Sequence, residues 1–213
     1  DDVVINNAFS AGRTITMDMP RAGRSITFNC TGSPTFTPSV SYAIFGSLNL
    51  TGVGSIGGSS TPTFSGRSSY TITSSGLTFP SGIILDAPGG TYTLQDNFAI
   101  GTSSTFSLTR GTFDANGYDV SIGVLANSNS NVRGLIMGSG TWSLTTTSAT
   151  TVWSMFSQTN LTFNAGTSTI KVTSTTNTAV SFSGGGATFN NIWFARGAST
   201  SSVTIAGSNT FNN

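Results

Sequence analysis

The sequence predicts an all-β fold, a single-stranded right-handed parallel β-helix (β-solenoid), on three observations. Apolar residues alternate with Ser and Thr over short runs, the runs end at Asn or Gly corners, and the unit recurs at roughly 20 to 30 residues. The unit is clearest in LTFNAGTSTIK, residues 161–171. Leu161 and Phe163 share one side of a strand, Asn164 to Gly166 turn the chain, and Ile170 and Val172 resume the wall. Its relatives are GTFDANGYDVSIGV at 111–124, ATFNNIWF at 187–194 and SNTFNN at 208–213. No segment keeps a 3.6-residue period with end caps over about ten residues, so no helix is predicted.

The elements follow in chain order. In residues 1–29, alternation puts Ile15, Met17 and Met19 on one side of a strand and Ile26 and Phe28 inward on the next, with Pro20 to Gly23 as the corner and Asp18 outward. The first coil of a solenoid exposes the end of its core, and residues 1–12 are the candidate cap. Residues 30–70 are less regular: Pro34, Pro38 and Pro62 belong at edges, starts or corners, and Gly52, Gly54, Gly57 and Gly58 interrupt any longer strand. Between 70 and 100 the inward pairs are Tyr70 and Ile72, Leu77 and Phe79, Ile83 and Leu85, and Tyr92 and Leu94, with a turn at Asp86 to Gly90. The next coil runs from Phe106 and Leu108 through Phe113 and the DANG corner at 114–117 to Val120, Ile122 and Val124. ANSNSNVRG, 126–134, has no apolar alternation and is the predicted loop. Leu135, Met137, Trp142 and Leu144 precede VWSMF at 152–156, and Val180, Phe182, Ile192, Phe194, Val203 and Ile205 complete the walls.

A strand of three to five residues cannot bury its apolar side alone; stacking it in register on the next coil satisfies its backbone and lines its inner residues into ladders. The alternative architecture is a β-sandwich, which needs longer strands and tight two-residue hairpins. The one Asn-Gly, at 116–117, fits a corner as well as a hairpin. The reading is one domain over 1–213, expected to be part of a longer chain, since it opens on Asp1-Asp2 and ends inside the recurring motif.

Composition narrows the partners. Only 7% of residues are charged, Ser and Thr supply about a third of the chain, and the formal charge is +1, where an ordinary domain is about 25% charged. The basic residues are scattered singly, so no groove for nucleic acid is expected. No run of about 18 apolar residues suggests membrane insertion. Cys30 is alone, which rules out an intrachain disulfide. The sequons at Asn29, Asn49 and Asn160 match what an Asn- and Thr-rich chain holds by chance.

The run GTYTLQDNFAI, TFSLTRGTFDANGYDVSIGV, LTFNAGTSTIKVTS, GGGATFNNIWF and VTIAGSNTFNN resembles the Gly/Ser/Thr-rich repetitive parallel β-helix proteins of phage virions and of environmental bacterial or phage surface appendages. The resemblance covers about residues 12–213. It implies an exposed structural role and brings no catalytic motif with it.

A glycosidase needs two carboxyl groups about 5 to 9 Å apart, and coils stacked about 4.8 Å apart could align Asp96 with Asp114 or Asp119. Asp86 and Asp114 stand directly before turn residues, however, and capping the turn is the simpler role. The chain has no His, which removes the usual general base and commonest metal ligand. Calcium held by Asp86, Asp96 or Asp114 lacks the regular acidic nonapeptide, and no phosphate-binding fingerprint occurs. No catalytic, cofactor-binding or metal residue is therefore assigned, and no cofactor is expected. The aromatic side chains give the candidate contact surface: Trp193 and Trp153, read as outward, and Tyr118 beside the DANG corner. Lys171, the only lysine, is expected outside the core.

The expected role is non-enzymatic: a structural or interaction module of an extracellular fibre, filament or phage virion appendage, contacting other copies of itself or other proteins of the same assembly. The alternative is a carbohydrate-binding adhesin or polysaccharide depolymerase that meets surface glycans.

Overall fold

The computed structural model describes residues 1–148, 150–175 and 177–213. It is a parallel β-helix of about nine turns. Among the described residues there are 26 strands and no helix, and the strand pairs are parallel, which excludes the β-sandwich. Each coil contributes to three walls. The first wall opens with Val3–Ile5, the second with Thr14–Met17 and the third with Arg21–Gly23. The first and third walls share one 15-stranded sheet, because Ile83–Leu94 and Thr105–Asp114 run through the corner between them. Two shorter sheets carry the second wall up to Asn191–Phe194.

Stacking in register aligns the inward side chains. On the first wall Tyr70, Tyr92, Phe113, Leu135 and Phe163 are successive partners. Phe189 and Phe211 continue that column, with ring centroids 5.1 Å and then 5.6 Å apart. The second wall stacks Phe98, Val120, Trp142, Ile170 and Ile192. The third stacks Ile83, Phe106, Leu125, Trp153, Phe182 and Ile205. Rings also meet across the core, Phe106 against Phe113 at 4.8 Å and Trp142 against Trp153 at 6.1 Å. Each fully buried side chain of this size stabilises the coil by about 1.5 to 3 kcal/mol. The Tyr92 hydroxyl is satisfied inside the core: it donates to the Ile44 carbonyl at 2.9 Å and accepts from the Gly66 N–H at 3.0 Å.

Four features differ from the simple alternation. The Asp86–Gly90 segment is a bend inside one strand, Ile83–Leu94, with shifted register and only Gly89 in the left-handed region. Gly123 forms a corner after Ile122, so inward parity restarts at Leu125 and Val124 faces out. The second-wall strand ends at Met17, leaving Met19 exposed. Finally, residues 1–12 supply the strand Val3–Ile5, which pairs with Ile26–Phe28 as a rung of the coil. Residues 30–70 keep to the three walls with strands of two to five residues, Leu48–Asn49 and Ser55–Ile56 being the shortest.

The corners are built as their composition implies. Asp114 Oδ1 accepts the Asn116 N–H at 2.8 Å, and Asn164 Oδ1 accepts the Gly166 N–H at 2.9 Å, the same side-chain turn two coils apart. Gly138 and Gly166 stack at that corner with φ of 71° and 57°. A Cβ on Gly166 would collide with the Gly138 carbonyl, so glycine is required there both for its backbone angle and for the approach of the next coil.

Candidate functional site

Strand register places Ala99, Ser121, Ser143, Lys171 and Trp193 in one outward column on the second wall. Beside it run Asn97, Asp119 and Thr141, tied together: Asn97 Oδ1 accepts the Asp119 N–H at 3.0 Å and Asp119 Oδ1 accepts the Thr141 N–H at 2.7 Å. The small side chains of the first column leave a shallow groove of about 450 Å³, which Lys171 borders. Trp193 follows Lys171 on the next coil. The groove thus has a floor of Ala and Ser and a step up to a cation and an indole.

Trp193 lies on the outer face, as alternation predicts, and is 56% exposed. Lys171 Nζ stands 4.5 Å from the centre of its ring. An ammonium over an indole face is attracted by the ring quadrupole, by about 0.5 to 1 kcal/mol at exposed sites. That contact limits where an otherwise flexible side chain holds its charge.

Trp153 requires a correction. It is fully buried. Thr151 pairs with Ser181 and Trp153 with Phe182, so Val152 is an extra residue in a β-bulge, and both Val152 and Trp153 point inward. Downstream parity is inverted as well: Met155 is buried and Phe156 is 62% exposed. Trp153 is a core residue and offers no contact surface. Tyr118 is half-buried and packs against the core at the DANG corner, its N–H donating to the Ala115 carbonyl at 2.9 Å. The structure does not bring Trp153, Trp193 and Tyr118 together as one surface.

The carboxylates brace corners. Asp96 accepts three hydrogen bonds from the preceding coil, the Ser74 N–H and hydroxyl on Oδ1 and the Ser75 N–H on Oδ2. Asp114 and Asp119 each hold a backbone N–H, as described above. Asp86 pairs with Arg110 through two hydrogen bonds of 2.5 and 2.7 Å, and the guanidinium holds its carboxyl below the usual range. Among the described residues no three His, Cys, Asp or Glu side chains form a metal-binding group.

Sequence reasoning missed the arginines. Arg133 is 2% exposed and forms no ion pair among the described residues; its guanidinium is caged by oxygens. Nε donates to Asn127 Oδ1 at 2.5 Å, Nη1 to the carbonyls of Asn131 and Thr159, and Nη2 to those of Asn127 and Ser157. The five N–H groups of one side chain therefore bind the loop of one coil to the loop of the next. Arg196 does the same at another corner, donating to the carbonyls of Ser174, Thr178 and Ser201. A signal was available: Arg133 has the parity of Leu135 and Met137, which are both inward.

Compared with protein-family models, with characterised proteins and with solved structures, the chain finds no match among any of them.

Proposed function

We propose that this chain is a structural and interaction module of an extracellular fibre, filament or virion appendage. The observation that carries the reading is the contrast between its faces. Core columns pass from coil to coil through the whole stack, while the outward positions are mostly Ser, Thr and Asn, and the corner carboxylates hold backbone amides. Such a rod extends by adding coils and presents a repeating, nearly neutral surface to neighbouring chains, which are its partners in this reading. Electron microscopy of the native assembly tests it. Regular end-to-end or lateral contacts between copies support the role; a lone compact particle that cleaves a polysaccharide overturns it.

A second reading, a carbohydrate-binding adhesin, is favoured by the exposed Trp193 beside a groove lined by hydroxyls. Sugars stack on aromatic faces and exchange hydrogen bonds with Ser and Thr. A depolymerase is the weaker form of this reading, because Asp96, Asp114 and Asp119 already serve the corners. A glycan panel read for both binding and product separates the forms: binding without product supports the adhesin, and product supports the enzyme.

A further inference from the structure

The inference rests on the adhesin reading and gives its ligand a chemical class. The geometry points to the second-wall groove as a site for a glycan terminus, one carboxylate-bearing sugar followed by neutral units. The carboxylate would lie on Lys171 Nζ and the neutral sugars over Ser143, Ser121 and Thr141.

Three observations carry this. First, Lys171 is the one basic side chain among the described residues that line the groove. Lys171 borders the groove, and its ammonium is held near Trp193 while keeping N–H donors for an anion. Second, the floor is shaped for a ring. Ala99, Ser121 and Ser143 are small and lie on consecutive coils, about 4.8 Å apart, and the step at Lys171 and Trp193 closes one end, so a chain end fits better than a passing strand.

Third, the groove is polar along its length. Asp119 lies on the coil of Ser121, two coils from Lys171 and so about 10 Å away along the axis. One of its oxygens holds the Thr141 N–H, and the other remains an acceptor for sugar hydroxyls. A ligand charged at every unit would place a carboxylate against Asp119, whereas one charged only at its end meets the cation there and hydroxyl-accepting groups beyond. The discrimination comes from a repulsive element as well as an attractive one.

Calorimetric and NMR titration of the chain with three probes tests the proposal: an oligosaccharide with one terminal acidic sugar, its carboxyl-reduced neutral form, and a uniformly charged polyuronate. The terminal acid is expected to bind in a salt-sensitive manner, with at least tenfold loss on carboxyl reduction and a similar loss in Lys171→Met. Ser143→Trp, which fills the floor, should abolish binding; should that variant not fold, Ser121→Trp makes the same test one coil away. Equal binding of acidic and neutral forms, unchanged in Lys171→Met, overturns the acidic assignment and leaves an adhesin. Tighter binding of the polyuronate overturns the single-charge assignment. Binding that survives the groove-filling variants moves the site elsewhere, and no binding by any glycan removes both the site and the adhesin reading.

Discussion

The Trp153 indole lies nearly parallel to the Phe182 ring, with centroids 5.6 Å apart and planes inclined by 21°. The bulge at Val152 sets this contact by turning two consecutive side chains inward, and Trp142 and Phe189 close on the same indole edge-on at 6.1 and 6.0 Å. Trp153→Ala should therefore destabilise by about 3 to 5 kcal/mol in urea unfolding. Trp153→Phe should cost less than Trp153→Ala, since it keeps a ring and removes an indole N–H that is buried without a hydrogen-bond partner among the described residues. Phe156→Ser should stay within about 0.5 kcal/mol. The reverse order would mean that the parity across the bulge is wrong.

Removing the Arg133 guanidinium leaves four carbonyls and the Asn127 amide oxygen without their donor. Arg133→Met is expected to cost about 3 kcal/mol or more, since each buried unpaired group costs about 1 to 3 kcal/mol. Arg133→Lys should recover little, because an ammonium cannot reproduce the planar five-donor fork. Hydrogen exchange should locate the damage in residues 127–132 and 155–160, the two loops that the side chain joins. Unchanged protection there in either variant would show that the cage is not what holds them.

The tyrosines set an alkaline limit. Burial pushes Tyr92 up to about 12, and pushes Tyr42 higher still. A raised folded-state value means that the unfolded chain ionises first, near the ordinary value of about 10. The contribution is complete below that pH and is lost as pH rises toward 12 and beyond. Thermal melts between pH 9 and 12 should fall for the native chain, and Tyr92→Phe should flatten part of that fall. Parallel curves would show that Tyr92 has no share in it.

Acid acts through Asp86. The Arg110 guanidinium depresses its folded value, so its stabilising contribution is present above the ordinary carboxylate value of about 3.9 and is lost as pH falls through the lower folded one. Both partners are partly solvated, so the pair is worth little and salt weakens it. Asp86→Asn should lower the melting temperature slightly at pH 7, and the deficit should shrink as pH falls below the ordinary carboxylate value of about 3.9. A deficit that does not shrink on acidification would indicate lost packing at the bend instead.

Much of this fold was legible because its elements are local. Phe113 and Phe163 lie between polar neighbours, and the recurrence of that unit implies the column they share with Leu135. Trp193 and Lys171 were placed outward by the same rule. The rule failed where an uncounted residue intervened, at the Val152 bulge and the Gly123 corner, since period-2 alternation carries no memory across an insertion. Arg133 was missed for a different reason: its parity was inward, but a charge is ordinarily solvated, and two of the five oxygens that satisfy it come from a loop more than twenty residues away. The groove was invisible because Ala99, Ser121, Ser143 and Lys171 become neighbours only through stacking.

The third-wall partners Phe106, Leu125, Trp153 and Phe182 are separated by 19, 28 and 29 residues, and the column they form is continuous. The interior therefore keeps count of turns and is indifferent to how many residues each turn contains. Change in such a chain can be one-sided: a corner can lengthen, acquire a new side chain and even tie itself down with an internal cation, as at Arg133, while the turns above and below are inherited unaltered. Diversity of surface and constancy of interior are then properties of a single thread, separated by nothing more than the direction in which alternate residues point.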